Sequence, residues 1–199
     1  MENNRQVGMP PHPHPWPTGD YYDTDLLQNG DTRNVLDRYR YWTIEAIKQD
    51  MARQAVELEI AIENWQHDSN IGTIVRTANA FNVRKVHIIG KRHWNRRGAM
   101  VTDRYLTIEH HSDVATFVEA TRPKVLVAVD ILDGATPLRQ AQLPSNAVLV
   151  FGGEGPGVSD EILAACSQIV MIEQSGSTRS VNVGVAAGIV MYQWLVQHS

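Results

Sequence analysis

The chain has 199 residues, 43% of them apolar, and a formal net charge of −4. This length suffices for one well-buried core, and the single cysteine, Cys166, excludes a disulfide framework within the chain. No apolar run reaches the about 20 residues that span a bilayer, and the polar, proline-rich N-terminus is unlike a signal peptide, so we expect a cytoplasmic protein without a membrane segment.

The N-terminal segment, residues 1–34, is rich in Pro, His, Asp, Asn and Gly and shows no hydrophobic periodicity. This composition predicts a flexible extension that is either mobile or merely draped over the domain. No other ligands cluster around the histidines of "HPHP", so disorder is favoured there over a metal site. From Val35 to Gln54 apolar residues recur at helical spacing, which predicts a helix leading into a domain of residues 35–199.

Beyond this helix, short β-branched runs alternate with helical segments. Apolar strands separated by helices predict an α/β fold, with a mostly parallel sheet and helices on both faces. Ligands of such sheets bind at the carboxyl ends of the strands. We predict strands at 57–64, 85–90, 124–131, 147–153 and 169–174, and helices at about 71–81, 112–121, 159–168 and 181–197.

Positive charge is concentrated in one part of the chain. Between Ser69 and Thr102 there is no acid, but this stretch holds seven of the 18 Lys and Arg residues. Such a stripe on an otherwise acidic protein indicates a polyanion site, and a solvated charged loop is the alternative.

A glycine-rich loop follows one predicted strand, in "VLVFGGEGPGVSDEIL", residues 148–163. A phosphate-binding P-loop needs Lys and then Ser or Thr after its last glycine, but Val158 and Ser159 follow Gly157. The dinucleotide fingerprint fails as well, because Val158 occupies the place of its third glycine. The loop therefore predicts another ligand.

Three polar segments follow predicted strands: "HDSNIGTIVR", "FGGEGPGVS" and "EQSGSTRSVN". Their patterns N-x-G-x-x-x-R, G-x-E-G-x-G and S-x-N-V together resemble the three motifs of the SpoU/TrmH family of RNA ribose methyltransferases. The resemblance covers residues 56–197. It implies a SPOUT-type domain with a C-terminal trefoil knot, S-adenosyl-L-methionine in the knot, and a homodimer whose active site joins both subunits. The reaction it implies is 2'-O-methylation of a ribose in structured RNA.

The same resemblance implies site residues. Arg76 would act either as a base or as a phosphate clamp that polarises the ribose hydroxyl; the clamp is physically easier because a guanidinium has a pKa above about 12. Asn70 would also cap the helix that follows it. The implied catalytic residues are Asn70, Arg76, Glu154, Ser180 and Asn182. The implied cofactor-binding residues are Val129, Gly152, Gly153, Glu154, Gly157, Ile172, Gln174 and Val181.

The third motif departs from the family pattern. Glu173 and Gln174 stand where the family commonly has Pro-Met, and Val181 replaces a leucine. The small residues after it, Gly184, Ala186, Ala187 and Gly188, allow close helix packing, either in the core or at a dimer interface. No cluster of metal ligands is apparent in the sequence, and we expect no metal.

The segment "GKRHWNRRGAM", residues 90–100, is the predicted RNA-binding loop. Cations can hold phosphates while an aromatic ring stacks on an unpaired base. The segment "GSTRSVN" favours tRNA methylases of the D-loop guanosine type. The alternatives are an rRNA methyltransferase, a non-catalytic RNA-binding module on the same fold, and a small-molecule enzyme with a nucleotide cofactor. The predicted RNA contacts are Lys91, Arg92, Trp94, Arg96 and Arg97.

Overall fold

The computed structural model describes residues 8–65, 70–153 and 155–198. The chain divides into two units between Gln54 and Ala55, whereas the sequence analysis places the boundary between residues 34 and 35. The first unit contains helices α1 (Thr24–Asn29) and α2 (Ile44–Arg53) and a 3-10 turn at Asp37–Tyr39.

The second unit alternates strands and helices along the chain. Its strands are β1 (Val56–Asn64), β2 (Val83–Gly90), β3 (Ile108–His111), β4 (Val125–Val129), β5 (Thr136–Pro137), β6 (Ala147–Phe151) and β7 (Gln168–Met171). Its helices are α3 (Ile71–Ala80), α4 (Val114–Ala120), α5 (Asp160–Ala165) and α6 (Val183–His198), with 3-10 turns at Arg96–Ala99 and Thr102–Arg104.

The seven strands form one sheet in the order β3-β2-β1-β6-β4-β7-β5. All strand pairs within the described ranges are parallel, which confirms the predicted sheet type. Strands β2 and β3 lie on one side of β1, and strands β4 to β7 all lie on its other side, where β6 is its direct neighbour. The carboxyl ends of β1 and β6 therefore lie at a topological switch point, where α/β proteins bind ligands.

Both faces of the sheet are covered, as the sequence predicts. On one face Ala61 and Val150 pack with Phe117 of α4 and Ile162 of α5. The alternate side chains of the same strands, such as Ile60, are also buried, and α3 and α6 contact the sheet and each other. Since successive side chains of a strand point to opposite faces, burial of both sets requires helices on both sides.

Two strands are absent from the sequence prediction. Strand β3 contains a single apolar residue, Ile108, so no hydrophobic run marks it. It forms because it pairs with β2, from Val86 opposite Ile108 to Ile89 opposite His111. Strand β5 has only two residues and pairs with β7 at the other edge.

The predicted leading helix is shorter than expected and begins at Ile44. Tyr41 has a φ of 63°, in the left-handed region, which interrupts a helix. The side chain of Thr43 accepts a hydrogen bond from the Ala46 amide at 3.1 Å and caps the first turn. The apolar spacing that predicts a helix from Val35 onward therefore includes residues that lie before the actual start of the helix at Ile44.

The first unit is organised around the buried carboxylate of Asp31. It accepts hydrogen bonds from Arg33 Nη2 at 2.8 Å and from the Tyr41 amide at 2.9 Å. The backbone of Asp31 forms two hydrogen bonds with Met9, each 2.8 Å long. The flexibility predicted for residues 1–34 stays a prediction, and these contacts count against it for residues 8–34.

Replacing Asp31 with asparagine should lower the free energy of unfolding at neutral pH by at least about 2 kcal/mol, because the partly exposed Arg33 loses the counter-charge of a buried carboxylate. Burial alone would raise the pKa of Asp31, but the hydrogen bonds from Arg33 and Tyr41 lower it from 3.8 to about 2. The charge contribution is therefore complete above pH 4 and disappears as the pH falls toward 2. Denaturant unfolding followed by tryptophan fluorescence measures the difference.

Asp37→Asn is the matched control, since this carboxylate is exposed and lies 3.5 Å from Arg40. We expect a change below about 0.5 kcal/mol for the control. Equal stability of Asp31→Asn and Asp37→Asn at neutral pH would contradict the prediction.

Candidate active site

A cavity opens at the carboxyl ends of three neighbouring strands, β6, β4 and β7. Its wall is completed by the residues that lead into α6 and by the first turn of that helix. The lining residues are Val129, Asp130, Ile131, Phe151, Gly152, Gly153, Gly155, Gly157, Met171, Ile172, Gln174, Ser180, Val181, Asn182, Val183 and Ala186.

The cavity brings together residues that the sequence analysis assigns to cofactor binding from separate parts of the chain. Glu154 lies outside the described residues. The binding role of these side chains stays a prediction, but their convergence on one cavity is observed. Those in the lining are Val129, Gly152, Gly153, Gly157, Ile172, Gln174 and Val181.

Two glycines allow the glycine-rich loop to fold back on itself. Gly153 and Gly157 form an antiparallel bridge, and a Cβ atom on Gly152 would overlap the carbonyl group of Gly157. Gly157 has a φ of +73°, and a Cβ atom there would overlap the carboxylate of Asp130. Position 152 requires glycine because the atoms in the way belong to the backbone, and position 157 requires it because its φ is positive and the Asp130 carboxylate occupies the space of a Cβ atom.

The loop is fixed by two carboxylates that the sequence analysis does not identify. Asp130 follows β4 and accepts the amide hydrogen of Val158 at 2.7 Å. Glu63, buried near the end of β1, accepts the amide hydrogen of Ser159 at 2.8 Å and the indole hydrogen of Trp65 at 2.9 Å. The only sequence signal is an acid at the end of an apolar strand.

The third motif caps α6 and contacts the first motif. Asn182 Oδ1 accepts the amide hydrogens of Gly184 at 3.0 Å and Val185 at 3.3 Å. Its Nδ2 donates to Asn70 Oδ1 at 2.9 Å. Ser180 lines the cavity beside Asn182. The structure thus links Asn70 to Asn182 and places Ser180 and Asn182 in one cavity lining, and the catalytic role of these three residues stays a prediction.

The prediction that the Asn70 side chain caps its helix is wrong. Asn70 precedes α3, and its carbonyl accepts the amide hydrogen of Ile74 at 3.0 Å, but its side chain makes no capping hydrogen bond. The amide oxygen is instead used by Asn182. The contact across the fold replaces the local one.

Gln174 and Glu173, which depart from the family pattern, point to different places. Gln174 lines the cavity, and its Oε1 is buried with no hydrogen-bond partner among the described residues. Glu173 is not in the lining and lies 2.6 Å from the guanidinium of Arg139. A buried acceptor without a partner is costly unless a ligand donates to it, so Gln174 offers the cavity a specific polar contact.

Arg76 lies apart from the cavity within one chain. It is exposed on α3, six residues beyond Asn70, or about 9 Å along the helix axis. Within residues 8–65, 70–153 and 155–198 it has no hydrogen-bond or ion-pair partner. Gly72 and Arg76 share one side of α3 because they are four residues apart.

The predicted RNA-binding loop packs against that same side of α3. A Cβ atom on Gly72 would lie 2.9 Å from the carbonyl oxygen of Asn95 and from the amide nitrogen of Ala99, so the two backbones are in direct contact. Asn64 Nδ2 fixes the start of the loop by donating to the carbonyl oxygens of Lys91 at 2.6 Å and His93 at 3.0 Å. Arg76 and the loop therefore lie on one surface.

The cations of this loop differ in their pairing. Arg96 lies 3.5 Å from Asp103 and 5.6 Å from the centre of the Trp94 ring. Lys91, Arg92 and Arg97 are exposed and form no ion pair with a described residue. Three full positive charges and a half-buried indole are thus available on this surface.

The small residues of α6 pack inside the unit. A Cβ atom on Gly184 would lie 3.2 Å from the methyl group of Thr73, and one on Gly188 would lie 3.7 Å from that of Thr77. Ala187 is fully buried. Of the two interpretations of these residues, core packing or a dimer interface, the structure therefore favours core packing.

No helix in the described part of the chain has the length and apolar character needed to cross a bilayer.

One known family matches the part of the chain that contains all three motifs. The family model described as the SpoU rRNA Methylase family matches residues 57–192. The match includes the whole cavity lining and the loop of residues 90–100.

Known proteins resemble the chain at modest identity. The tRNA (guanosine(18)-2'-O)-methyltransferase of Escherichia coli K12 is 25% identical over 148 residues, which cover 72% of this chain and 65% of that relative. The chain thus matches just under two thirds of that relative's length.

Two solved structures share the fold. One, described as giving insights into the 2-OH methylation of C/U34 on tRNA, has a TM-score of 0.64 and 26% identity, and the match covers 71% of this chain and 95% of that one. The SpoU methyltransferase AviRb of Streptomyces viridochromogenes, in complex with the cofactor AdoMet, has a TM-score of 0.63 and 24% identity, with 75% and 64% covered.

Proposed function

The chain belongs to the SpoU rRNA methylase family, and we propose that it transfers a methyl group from S-adenosyl-L-methionine to the 2'-hydroxyl of a ribose in structured RNA. The observation that carries this proposal is the cavity at the ends of β4, β6 and β7, where the second and third motifs meet and the first motif contacts them through Asn70. A non-catalytic RNA-binding module would have no use for such a cavity.

The cavity fits the cofactor in shape and in polarity. Gly153 and Gly155 line the cavity without side chains, and a Cβ atom on either would meet no other atom closer than 3.8 Å, so a flat ring can lie against the loop backbone. Ile172 and Val181 supply apolar walls, and the unpartnered Oε1 of Gln174 can accept an N–H of an adenine amino group. When bound, S-adenosyl-L-methionine supplies a methyl group that its sulfonium charge has already activated.

The residues around the reacting hydroxyl have mainly a positioning role. Asn70 and Asn182 hold each other in place, and Ser180 lies beside them at the cavity. Arg76 brings a positive charge that can bind an RNA phosphate and polarise the hydroxyl, or remove its proton. Correct alignment of two reactants is worth about 7 to 11 kcal/mol, and help from a base about 10² to 10⁴-fold.

We propose that the active site forms in a homodimer. Since Arg76 lies outside the cavity of its own chain, a second subunit would supply it. Helix α6 carries an exposed apolar stripe at helical spacing, Val185, Ile189, Tyr192 and Val196, each at least 41% exposed. A contiguous apolar stripe on a surface helix is typical of a self-association face.

We also propose that the C-terminal part of the chain forms a trefoil knot that holds the cofactor. The support is the sheet order, which places β4, β6 and β7 side by side, and the approach of the segments after β6 and β7 around one cavity. Tracing the chain in a crystal structure would test it.

The proposed substrate is a tRNA, with a guanosine of the D-loop as the leading target. The Escherichia coli relative acts at guanosine 18, whereas the similar solved structure concerns C/U34, and the family description refers to rRNA. A tRNA substrate would place the enzyme in the cytoplasm. Mapping ribose methylation in RNA from a strain without the gene distinguishes these targets, because the affected nucleotide alone should lose its methyl group.

Cofactor binding should occur without added metal. Titration of S-adenosyl-L-methionine into metal-stripped, folded protein should release or absorb heat and saturate, because the cavity offers backbone, apolar side chains and the polar side chains of Gln174, Ser180 and Asn182 for direct contact with the cofactor. Sedimentation on the same sample should give the mass of two chains. Absence of binding, or binding restored only by zinc or magnesium, would contradict the proposal.

The loop of residues 90–100 should govern the salt dependence of RNA binding. Replacing Lys91, Arg92, Arg96 and Arg97 with alanine removes cations that release counterions from phosphates. We expect weaker RNA binding and a slope of log affinity against log salt that is lower by roughly one to three units, with cofactor affinity nearly unchanged. Filter binding over a salt series measures both quantities.

Two variants control this experiment. Trp94→Ala should weaken RNA binding with little change of slope, since base stacking releases no counterions. Arg122→Ala/Arg139→Ala removes two cations with side chains at least 70% exposed outside the loop and should change neither quantity. Wild-type slope and affinity in the quadruple variant would make this loop a solvated turn, and Arg33, Arg38 and Arg40 would become the next candidates.

A further inference from the structure

A cluster of histidine and carboxylate side chains lies on one face of the sheet where β1, β2 and β3 run side by side. His87 of β2 stands opposite Ala61 of β1 and Glu109 of β3 in the parallel register. His111 is two residues beyond Glu109, so both side chains are on the face of His87. None of these residues lines the cavity described above.

The orientation of His87 is fixed by a carboxylate behind it. His87 is fully buried, and its Nε2 lies 2.9 Å from Oε2 of Glu59, which in turn lies 3.2 Å from Nζ of Lys124 through its other oxygen. Because Glu59 accepts a hydrogen bond from Nε2–H, Nδ1 of His87 carries a lone pair and no proton of its own. That nitrogen faces Nε2 of His111 at 2.9 Å and Oε2 of Glu109 at 3.8 Å.

We propose that His87 Nδ1, His111 Nε2 and a Glu109 oxygen bind one divalent transition-metal ion of the zinc class. One ligand atom from each residue lies within 4.8 Å of the others. Two imidazoles and a carboxylate are a ligand set that zinc accepts, and a carboxylate hydrogen-bonded to the far nitrogen of a ligating histidine is the usual support of such a site. The second oxygen of Glu109 stays with Lys85, 2.7 Å away.

Binding requires only small adjustments. The 2.9 Å contact between the two histidines holds a proton, which His111 must carry on Nδ1 when the ion binds. The two nitrogens must separate to about 3.3 Å, given zinc–nitrogen bonds of about 2.0 Å and a tetrahedral angle. The half-exposed Glu109 side chain leaves a route from solvent.

The ion would have a structural role. It would tie the edge strand β3, which has few apolar residues, to the buried strand β2. The sequence analysis finds no ligand cluster because β3 is absent from its strand prediction, so the pairing that brings Glu109 and His111 to His87 is not visible. Methyl transfer without metal and this site are compatible, since they share no residue.

Cobalt and zinc titrations of the untagged, metal-stripped protein test the proposal. We expect one Co²⁺ per chain with the visible absorption of a four-coordinate ion, in which a water molecule is the fourth ligand, displaced by one Zn²⁺, and a higher midpoint of thermal unfolding with zinc. Glu109→Gln, a half-exposed and conservative change, should weaken zinc binding at least tenfold, and Glu59→Gln should do so by about 10- to 100-fold. At equal zinc concentration, zinc should then raise the thermal midpoint of Glu109→Gln less than that of the wild type.

Two variants test whether histidines outside the proposed site account for zinc binding. His110→Gln is the matched control, because His110 is exposed and its Nε2 lies 2.6 Å from the carbonyl oxygen of Gly90. It should bind zinc like the wild type, and so should a His12→Gln/His14→Gln variant. The proposal is overturned if the wild type gives no four-coordinate cobalt spectrum, or if Glu109→Gln and His111→Gln bind zinc as tightly as His110→Gln does.

Discussion

Replacing Arg76 with alanine should reduce methyl transfer by about 10² to 10⁴-fold while cofactor affinity changes by less than a few fold. The guanidinium is exposed, has no partner among the described residues and is absent from the cavity lining, so its removal leaves the cofactor contacts intact. Transfer of label from S-adenosyl-L-methionine to RNA, together with cofactor calorimetry on the same preparation, separates the two effects.

Arg122→Ala is the matched control for this variant. Arg122 is also exposed and pairs with Glu119 before β4, at the opposite end of the strands from the cavity. It should retain wild-type turnover. If Arg76→Ala also turns over like the wild type, Arg76 has no part in the chemistry.

The lysine variant distinguishes the two roles considered for Arg76. A phosphate clamp needs positive charge, so Arg76→Lys should keep part of the activity with an unchanged pH profile. A base at this position would show a pH dependence that shifts when lysine replaces arginine, because the two groups have different pKa values.

Replacing Gly152 with alanine should reduce cofactor affinity by at least about 100-fold. The new Cβ would overlap the carbonyl group of Gly157. Since the Cβ is fixed to the backbone of residue 152 and the carbonyl belongs to the backbone of residue 157, neither can rotate away and the loop must move as a whole. The displaced loop would lose its bridge between Gly153 and Gly157 and its place against the cavity. Calorimetric titration with S-adenosyl-L-methionine measures the affinity.

Gly176→Ala is the control, since Gly176 has no atom within 4 Å of an added Cβ and no positive φ. We expect wild-type affinity for it. Circular dichroism and a cooperative thermal transition would establish whether Gly152→Ala is folded. Wild-type affinity in a folded Gly152→Ala protein would refute the role of this loop.

The sequence predicts the parts of the site that a short pattern encodes. The glycines at 152 and 157 are recognisable because only glycine permits a backbone turn of this kind, and the apolar runs around them mark the strands. Asn70, Ser180 and Asn182 are found through the family resemblance, and their meeting follows from the position of their segments at strand ends.

Other parts depend on pairing that a single sequence does not reveal. Asp130 and Glu63 hold the glycine loop through hydrogen bonds to amides far along the chain. Strand β3 is stabilised by its neighbour and not by its own composition, and the histidine cluster is hidden with it. Asp31 organises the first unit through hydrogen bonds with Arg33 and Tyr41. The composition of this segment is that of a solvated polar chain, so the sequence does not reveal these contacts.

The most direct test of the central claim is the reaction itself. Purified wild-type protein, total tRNA from a strain without the gene and S-adenosyl-L-methionine should yield RNA whose nuclease digest contains a new 2'-O-methylated nucleoside, identified by mass spectrometry. Arg76→Ala should yield this nucleoside at an initial rate at least about 100-fold lower, and Arg122→Ala should match the wild type. Methylation of a base instead of a ribose, or no methylation of either tRNA or rRNA by folded protein that binds the cofactor, would contradict the account.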